Sequence, residues 1–487
     1  MTALATRSTA PRPLVPFARR LYAPMVIGAI LNPINSSMIA VSLVPIGIAF
    51  GASSSRTAWL VSGLYLATAI GQPVVGRMVD RFGPRAPYLV GTALAGVAGL
   101  LGAFAPTLGV LVVARVLLGF GTCAGYPSAM ALIKSEARRT GKDSPASVLT
   151  VLSLASQTIT VVGPTLGGLL VGWAGWRSVF LVNVPLALAA AILGTRYLPR
   201  PRSTAPTTAA DRANVPSEGG AATQSALAGL DVPGMVLFAG TLVALLLYGL
   251  NPSGGTAPLL GVAAVVGAVF AWWELRSAQP FFDLRLLGRN PALLLTYVRQ
   301  LLAGVVSYTF VYGYSQWLQA GYGLSPSETG LLMLPMFGVA VAVTALTGRH
   351  AAVRAKLLVG SVCQVLAGVI VVLTGAASPL WLLVAAGVVV GIPQGLVSLA
   401  NQNALYAQVD GARIGSSAGL LRTFVYLGAI GASAATGVAF RGGVHDAGLH
   451  TLGVVVIVAS SVFLVVALVD RSLARIGHTA PIGKATA

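Results

Sequence analysis

Gly76-Arg77-Met78-Val79-Asp80-Arg81-Phe82-Gly83-Pro84-Arg85 lies between two long apolar stretches. A charged turn this short cannot cross a bilayer, so it must join two neighbouring membrane helices on one face. Gly76 and Gly83 are expected to let helix backbones approach closely. Asp80 sits among three arginines, where a charge network can form or break. The same alternation runs the length of the chain, with apolar runs at 24–49, 57–79, 87–105, 107–133, 147–172, 176–196, 234–250, 257–275, 291–318, 327–347, 357–375, 379–403, 414–439 and 451–469. These fourteen runs, each near the roughly 20 residues a helix needs to span hydrocarbon, predict an all-α polytopic membrane protein with fourteen transmembrane helices. Of 487 residues, 56% are hydrophobic and 9% charged, whereas a soluble domain carries roughly 25% charge. Helices satisfy their own backbone groups in lipid, and a β-barrel would need short alternating segments instead.

The net charge of +19 has a topological explanation. With the N-terminus placed inside, the outer loops hold only Arg56, Arg177 and Arg441, and the membrane runs hold Arg115, Arg299 and Arg422. The other twenty-five of the 31 Lys and Arg fall in cytoplasmic segments. This is the positive-inside asymmetry. The anionic inner leaflet of the lipid bilayer therefore suffices as a partner, and nucleic acid is not required. Residues 1–23, with Arg7, Arg12, Arg19, Arg20 and scattered prolines, read as a cytosolic tail rather than a cleaved signal peptide. The Ala/Thr/Ser/Gly/Pro-rich stretch 201–230 reads as a flexible cytosolic linker, and 471–487 as a second cytosolic tail. Cys123 and Cys363 lie in separate apolar runs, so no disulfide, zinc site, redox pair, metal or cofactor is expected.

The opening decapeptide resembles the loop between helices 2 and 3 of the major facilitator superfamily, Gly-x-Leu-Ala-Asp-Arg-x-Gly-x-Arg/Lys, with Met78 in the Leu position. In that family the loop latches the two halves of a transporter on the cytoplasmic side, which implies a latch of Gly76, Asp80, Arg81, Gly83, Arg85 and Glu136. The resemblance extends over most of the chain. Arg115, Gly119 and Gly121 match the helix-4 pattern Arg-x-x-Gln-Gly-x-Gly, with Leu118 replacing Gln. Arg115 is expected either to hydrogen-bond helix 1 across the cavity or to serve as a strut with no contact to substrate. Gly163-Pro164-Thr165-Leu166-Gly167-Gly168 resembles the end of the helix-5 antiporter motif, whose earlier glycines are replaced here by Thr150 and Ile159. Its proline kinks a helix and its glycines permit tight packing.

Trp176-Arg177-Ser178-Val179-Phe180-Leu181-Val182-Asn183-Val184-Pro185 looks like the Trp-Arg-x-x-Phe-x-x-Asn-x-Pro run of the fourteen-helix drug/proton antiporter branch. In plainer terms, Trp176 is an interfacial anchor. Trp317 to Pro335 resembles that branch's next outer loop and following helix, with Ser325-Pro326 as a helix start. The implied architecture is a six-helix bundle at 24–200, an inserted helix pair and basic connector at 231–290, and a second six-helix bundle at 291–470.

Helix 1 departs from that branch. Aligned on Pro45, Ser36 stands where relatives carry an aspartate thought to bind protons or cationic drugs. A serine hydroxyl does not titrate in the physiological range. Every one of the twelve acids falls in a loop or at a helix end, and the four histidines are peripheral. Coupling therefore uses a helix-end acid such as Asp80, Glu274 or Glu328, or the proton mechanism does not carry over. Asn32, Asn35 and Ser36 share a face of helix 1, and Tyr308, Tyr312, Gln316 and Gln319 form a stripe on a later helix. Gln394, Asn401 and Tyr426 add further polar groups; all of these serve as interhelical hydrogen bonds or as cavity lining, and Asn32, Asn35, Ser36, Tyr308, Tyr312, Gln316 and Gln394 are the candidate substrate contacts among them. Arg299 and Arg422 either snorkel to the interface or touch substrate or gate. Three positive side chains and no carboxylate inside the helices favour neutral or acidic substrates over cations. The resemblance implies a plasma-membrane exporter of amphipathic small molecules, driven by protons. The alternatives are a lipid or metabolite exporter or facilitator without helix-1 coupling, and a transporter-like sensor. An enzyme is not indicated, because the outer loops offer only Glu328 and Asp446 as acids, in separate loops.

Overall fold

The computed structural model describes residues 19–140, 146–199, 231–250, 255–278, 280, 284–347, 352–409 and 414–474. The 201–230 linker and most of both tails lie outside the described residues. Every apolar run is helical, and no strand occurs among the described residues. Helix α1 (Tyr22–Met38) passes through a 3-10 turn into α2 (Leu43–Phe50); α3 (Ser54–Phe82) and α4 (Arg85–Ala103) follow. Next come α5 (Leu108–Thr122), α6 (Gly125–Thr140), α7 (Ala146–Ala174), the short α8 (Ser178–Leu181) and α9 (Asn183–Tyr197). Beyond the linker are α10 (Val232–Leu250), α11 (Pro258–Arg276) and the short α12 (Leu284–Arg289). Helix α13 (Pro291–Tyr308) continues through a π-helical turn, Thr309–Tyr314, into α14 (Ser315–Ala320). The chain then forms α15 (Pro326–Thr347), α16 (Val353–Val372), α17 (Leu380–Gln408), α18 (Ile414–Ala439) and α19 (Asp446–Val469).

Twelve described helical segments are long and apolar enough to cross a membrane. Within α7, Val162–Ala174 is a shorter apolar stretch, and α18 is not among the twelve. Local chemistry sets the ends. Asn290 caps α13 by accepting from Leu293 N at 3.1 Å, with Pro291 in the first turn. Ser325 and Glu328 form a capping box at α15: the Ser325 amide donates to Oε2 at 2.8 Å and the Glu328 amide donates to Ser325 Oγ at 3.2 Å. Glu328 is thus an exposed capping group.

Lipid-facing and packed faces separate cleanly. On α19, Val454, Val458, Val462, Val465 and Val469 are exposed, while Val456, Ala459, Phe463 and Ala467 are buried. A continuous outward valine stripe on a helix is at home in hydrocarbon, not in water. Packed faces rely on small residues. A Cβ on Gly125 would meet the Gly28 backbone, and one on Gly121 would meet that of Gly91 and Ala95.

Helices before residue 201 pack mainly on one another, as do those after residue 290. The two sets meet chiefly along α3 with α18 and along α7 with α15, while α10 and α11 pair together and α10 leans on α18 and α3. One end of the molecule carries the turns near Gly51, Gly175, Tyr322 and His445. There Phe50 packs on Trp176 at 5.4 Å and Tyr322 Oη donates to the Ser378 carbonyl at 3.0 Å. We call this the distal end. The proximal end carries Pro24, Pro84, Leu198, Gln408 and Asp470, linked by bonds such as Tyr88 Oη to the Pro24 carbonyl at 2.7 Å. Trp176 is buried against Phe50 and Phe180, so it is a packed residue rather than an interfacial anchor; the neighbouring Trp173 is the exposed one.

Candidate functional site

At the centre, where α1, α3, α13 and α18 converge, four tyrosines meet. The Tyr65 ring lies 5.2 Å from Tyr308 and 5.3 Å from Tyr426. Tyr308 stacks on Tyr312 at 5.5 Å. Tyr65 Oη hydrogen-bonds Tyr312 Oη at 2.9 Å, and Tyr312 Oη donates to the Ser36 carbonyl at 2.9 Å. Tyr65 comes from the first half of the chain and the other three from the second, so the cluster spans the junction.

Above the cluster, toward the distal end, the halves are joined by neutral hydrogen bonds to backbone. Ser315 Oγ donates to the Ala40 carbonyl at 3.1 Å, Thr165 Oγ1 to Gly330 at 2.8 Å, Ser327 Oγ to Gly168 at 3.0 Å and Ser433 Oγ to Ala58 at 2.9 Å. Gly168 and Gly330 make this possible, because a Cβ at either would fall within 3 Å of a carbonyl across the seam, that of Pro326 or of Pro164. Gly163 and Gly167 do the same for α1, since a Cβ there would strike Ser37 or Met38. Pro164 interrupts α7 at this level.

Arg115, on α5, is buried. Its Nε donates to the Leu60 carbonyl at 2.8 Å and Nη1 to the Asn35 carbonyl at 3.1 Å, tying α5 to α3 and α1. Its Nη2 is buried with no hydrogen-bond partner among the described residues. Gly119, one turn on, lets α5 rest on the Leu64 carbonyl of α3. Arg422, on α18, is half-buried, with its guanidinium 4.1 Å over the Tyr126 ring of α6.

Residues 25–433 match the Major Facilitator Superfamily. The chain belongs to that superfamily. Over 450 residues it is 32% identical to the uncharacterized MFS-type transporter YwoD of Bacillus subtilis (strain 168), covering 91% of this chain and 94% of YwoD. It is 28% identical to the multidrug efflux pump LfrA of Mycolicibacterium smegmatis, over 85% of this chain and 79% of the pump. Other relatives are named as antibiotic or multidrug resistance and export proteins. The solved structure of the peptide transporter POT in complex with alafosfalin superposes with a TM-score of 0.63 at 15% identity, over 95% of this chain and 97% of that one, which shows the shared fold. This is a membrane-embedded transporter, and its family and relatives are not enzymes.

Several residues of the transporter sit differently from the sequence reading. Asn35 and Asn183 bond reciprocally, at 2.5 and 2.8 Å, and Asn32 donates to Thr122 Oγ1 at 3.0 Å. These asparagines act as interhelical ties. Ser36 Oγ donates to Pro33 within its own helix. The stripe expected along Tyr308 to Gln319 is split by the π-helical turn. Tyr308 and Tyr312 face the centre, whereas Gln316 borders a distal hollow of roughly 330 Å³ lined by Leu43, Gly47, Thr57 and Val444. Gln394 is half-buried, and its amide nitrogen has no partner among the described residues.

Arg299 does not snorkel. It is buried, with Nη1 2.6 Å from Asp470 Oδ2, Nε donating to Asn401 Oδ1 at 3.2 Å and Nη2 donating to Thr296 Oγ1 at 2.7 Å. Position at a helix end therefore did not mean exposure for the acids. Asp470 is buried just past α19, Glu274 is buried within α11, and Asp231 is buried beside it, accepting from Trp273 Nε1 at 2.6 Å.

In the opening turn, Gly83 adopts φ 77°, which ends α3 and favours glycine. No described atom lies within 4 Å of a Cβ built on Gly76 or Gly83, so close helix approach is not their role. Arg85 donates to the Thr195 and Leu198 carbonyls, at 2.9 and 3.2 Å, closing the C-terminus of α9. Glu136 is half-buried on α6, and the side chains of Asp80 and Arg81 lie outside the described ones. Tyr65, Tyr126 and Asn183 were absent from the sequence-derived candidates. The first two have only small hydroxyl residues at helical spacing, Ser62 and Thr68 around Tyr65 and Thr122 one turn before Tyr126, and Asn183 was visible only as part of a motif.

Proposed function

We propose that this transporter exports amphipathic small molecules by alternating access, and that the structure is its distally closed state. The seam of neutral hydrogen bonds above the tyrosine cluster carries this reading. Each such bond contributes about 0.5–1.5 kcal/mol net, so a handful can hold the distal end shut and still yield to a substrate-driven change of a few kcal/mol. The relatives named as drug-efflux and antibiotic-export proteins support the direction of transport and the substrate class.

In this reading the chain spans the plasma membrane fourteen times, as two six-helix bundles with α10 and α11 inserted between them. Both termini are cytoplasmic, so the distal end is extracellular. The charge asymmetry and the matched pairings of α3 with α18 and α7 with α15 support it. With Cys123 and Cys363 replaced by serine, single cysteines at Ser253 and Gly443 should label from outside, and those at Ala210 and Ala480 only after permeabilisation. An inside signal at Ser253 would remove the inserted pair from the topology.

The proximal turn holding Gly76, Asp80, Arg81, Gly83 and Arg85, together with Glu136 of α6, serves as a conformational latch in this scheme. Asp80→Asn should reduce turnover while leaving substrate affinity intact, and the reverse pattern would assign Asp80 to the substrate. Proton coupling belongs to the reading as well, through a group other than Ser36. Export from proteoliposomes with and without an imposed pH gradient tests it: rates independent of the gradient would leave a facilitator.

A further inference from the structure

Building on the transport reading, we propose that the central site takes an aromatic organic anion, with its carboxylate or phenolate on Arg422 and its ring among the tyrosines. Two cations flank the cluster, and neither meets an acid among the described residues. Arg422 has Tyr126, Tyr308, Tyr426 and Cys123 as electrostatic neighbours, and no carboxylate or hydrogen-bond acceptor among the described residues. Arg115 faces Tyr65 and Tyr312 with its buried Nη2 unpartnered. Five of the described acids serve elsewhere. Asp470 holds Arg299, Asp446 accepts from Trp317 Nε1 and the Ala376 amide, Glu328 caps α15, and Asp231 and Glu274 adjoin on the inserted pair.

The pose of Arg422 suits an anion. The cation–π contact with Tyr126, 4.1 Å to the ring centroid, holds the guanidinium in place without using its N–H donors, which can serve a bidentate oxygen pair. Because Arg422 is half-buried and Tyr126 belongs to the opposite half of the chain, the group sits in the junction that alternating access opens and closes. The stacked pairs Tyr65–Tyr426 and Tyr308–Tyr312, at 5.3 and 5.5 Å, offer aromatic faces and edges to a planar ring. A cation entering here would meet two like charges and no counter-ion, whereas an anion supplies the missing one.

Fluorescein and rhodamine 6G share a ring system and differ in charge, so they isolate this feature. With the full chain in nanodiscs, fluorescence anisotropy should show fluorescein bound at least about tenfold more tightly than rhodamine 6G. Arg422→Gln should weaken fluorescein by about tenfold or more and leave rhodamine 6G unchanged or improved, with Arg422→Lys in between. 1-Naphthoate should displace fluorescein, and excess inorganic phosphate should not. Equal affinities for the two dyes, an unchanged fluorescein affinity in Arg422→Gln, or displacement by phosphate would each overturn the proposal. If Arg422→Gln fails to fold, the dye pair and the displacement on the unmodified protein decide alone. Flux into inverted proteoliposomes is read separately. Selective binding without flux would sink the transport reading and keep the site, while equal flux of both dyes would sink the site and keep transport.

Discussion

Arg299 and Arg115 are both buried arginines in long apolar helices, yet their surroundings are opposite. Arg299 has a carboxylate and two further side-chain acceptors, binding α13 to α17 and to the end of α19. Arg115 has two backbone carbonyls and a nitrogen with no partner among the described residues. A buried charge is strongly disfavoured unless paired. The first arrangement is complete in itself and serves the architecture. The second is incomplete, and it faces the site where a ligand is expected. Arg422 belongs with Arg115 in this respect. Within one transporter, then, the paired cation fastens helices, and under the proposal above the other two take their partner from the substrate.

The largest expected effect breaks the complete arrangement. Asp470→Asn strands Arg299 and should cost about 3–5 kcal/mol, read as a large drop in thermal midpoint in detergent. Arg299→Met combined with Asp470→Leu should restore most of it, since replacing both partners is close to neutral. A single Asp470→Asn variant as stable as the parent would mean that Asp470 is not the counter-ion. Overpacking the seam comes next. Gly330→Val drives a branched side chain toward the Pro164 carbonyl and should cost about 1–3 kcal/mol. That cost falls on the distally closed state, so distal cysteine labelling should rise and turnover should fall; unchanged labelling would contradict the gate.

A third variant sharpens the comparison by completing the incomplete arginine. Ser36→Asp sets an acid next to Asn35, whose carbonyl Arg115 grips. Fluorescein affinity should fall about tenfold, roughly 1.4 kcal/mol, and ethidium export should appear. Robust ethidium export by the parent, unaffected by the substitution, would separate selectivity from the central charges. The smallest effect is Thr165→Val, which removes one cross-seam bond worth about 0.5–1.5 kcal/mol. It should raise distal labelling by no more than about tenfold, with the melting temperature nearly unchanged.

Much of this fold was legible in the sequence, because lipid imposes long apolar helices and each run is helical, some as two consecutive helices. Ser325-Pro326 read correctly as a helix start, since capping is a local matter. The site was less legible. Arg299 could not be told from Arg422 by sequence, because the partner that distinguishes them, Asp470, lies 171 residues away. For the asparagines of α1 the sequence left interhelical bonding and cavity lining both open, because their mates, Thr122 and Asn183, come from other helices. Tyr65 lay on a face marked only by Ser62, Thr68 and Gln72, and yet it holds the middle of the cluster. Through-space pairing of single polar groups is what a one-dimensional reading lacks.

The π-helical turn at Thr309–Tyr314 has a consequence for how this chain tolerates insertion and deletion. Such a turn holds one residue more than the α winding around it. Deleting one residue there would let the rod rewind as α-helix with the segment beyond still in register, whereas a deletion elsewhere in α13 or α14 would turn everything beyond it by about 100° and draw it back about 1.5 Å. Ser315 would keep the Ala40 carbonyl and Trp317 would keep Asp446 in the first case, and both ties would be lost together in the second. The spare residue is therefore slack stored in the backbone beside Tyr308 and Tyr312. A helix with slack has two windings available, and changing from one to the other turns its distal third like a key without moving its base.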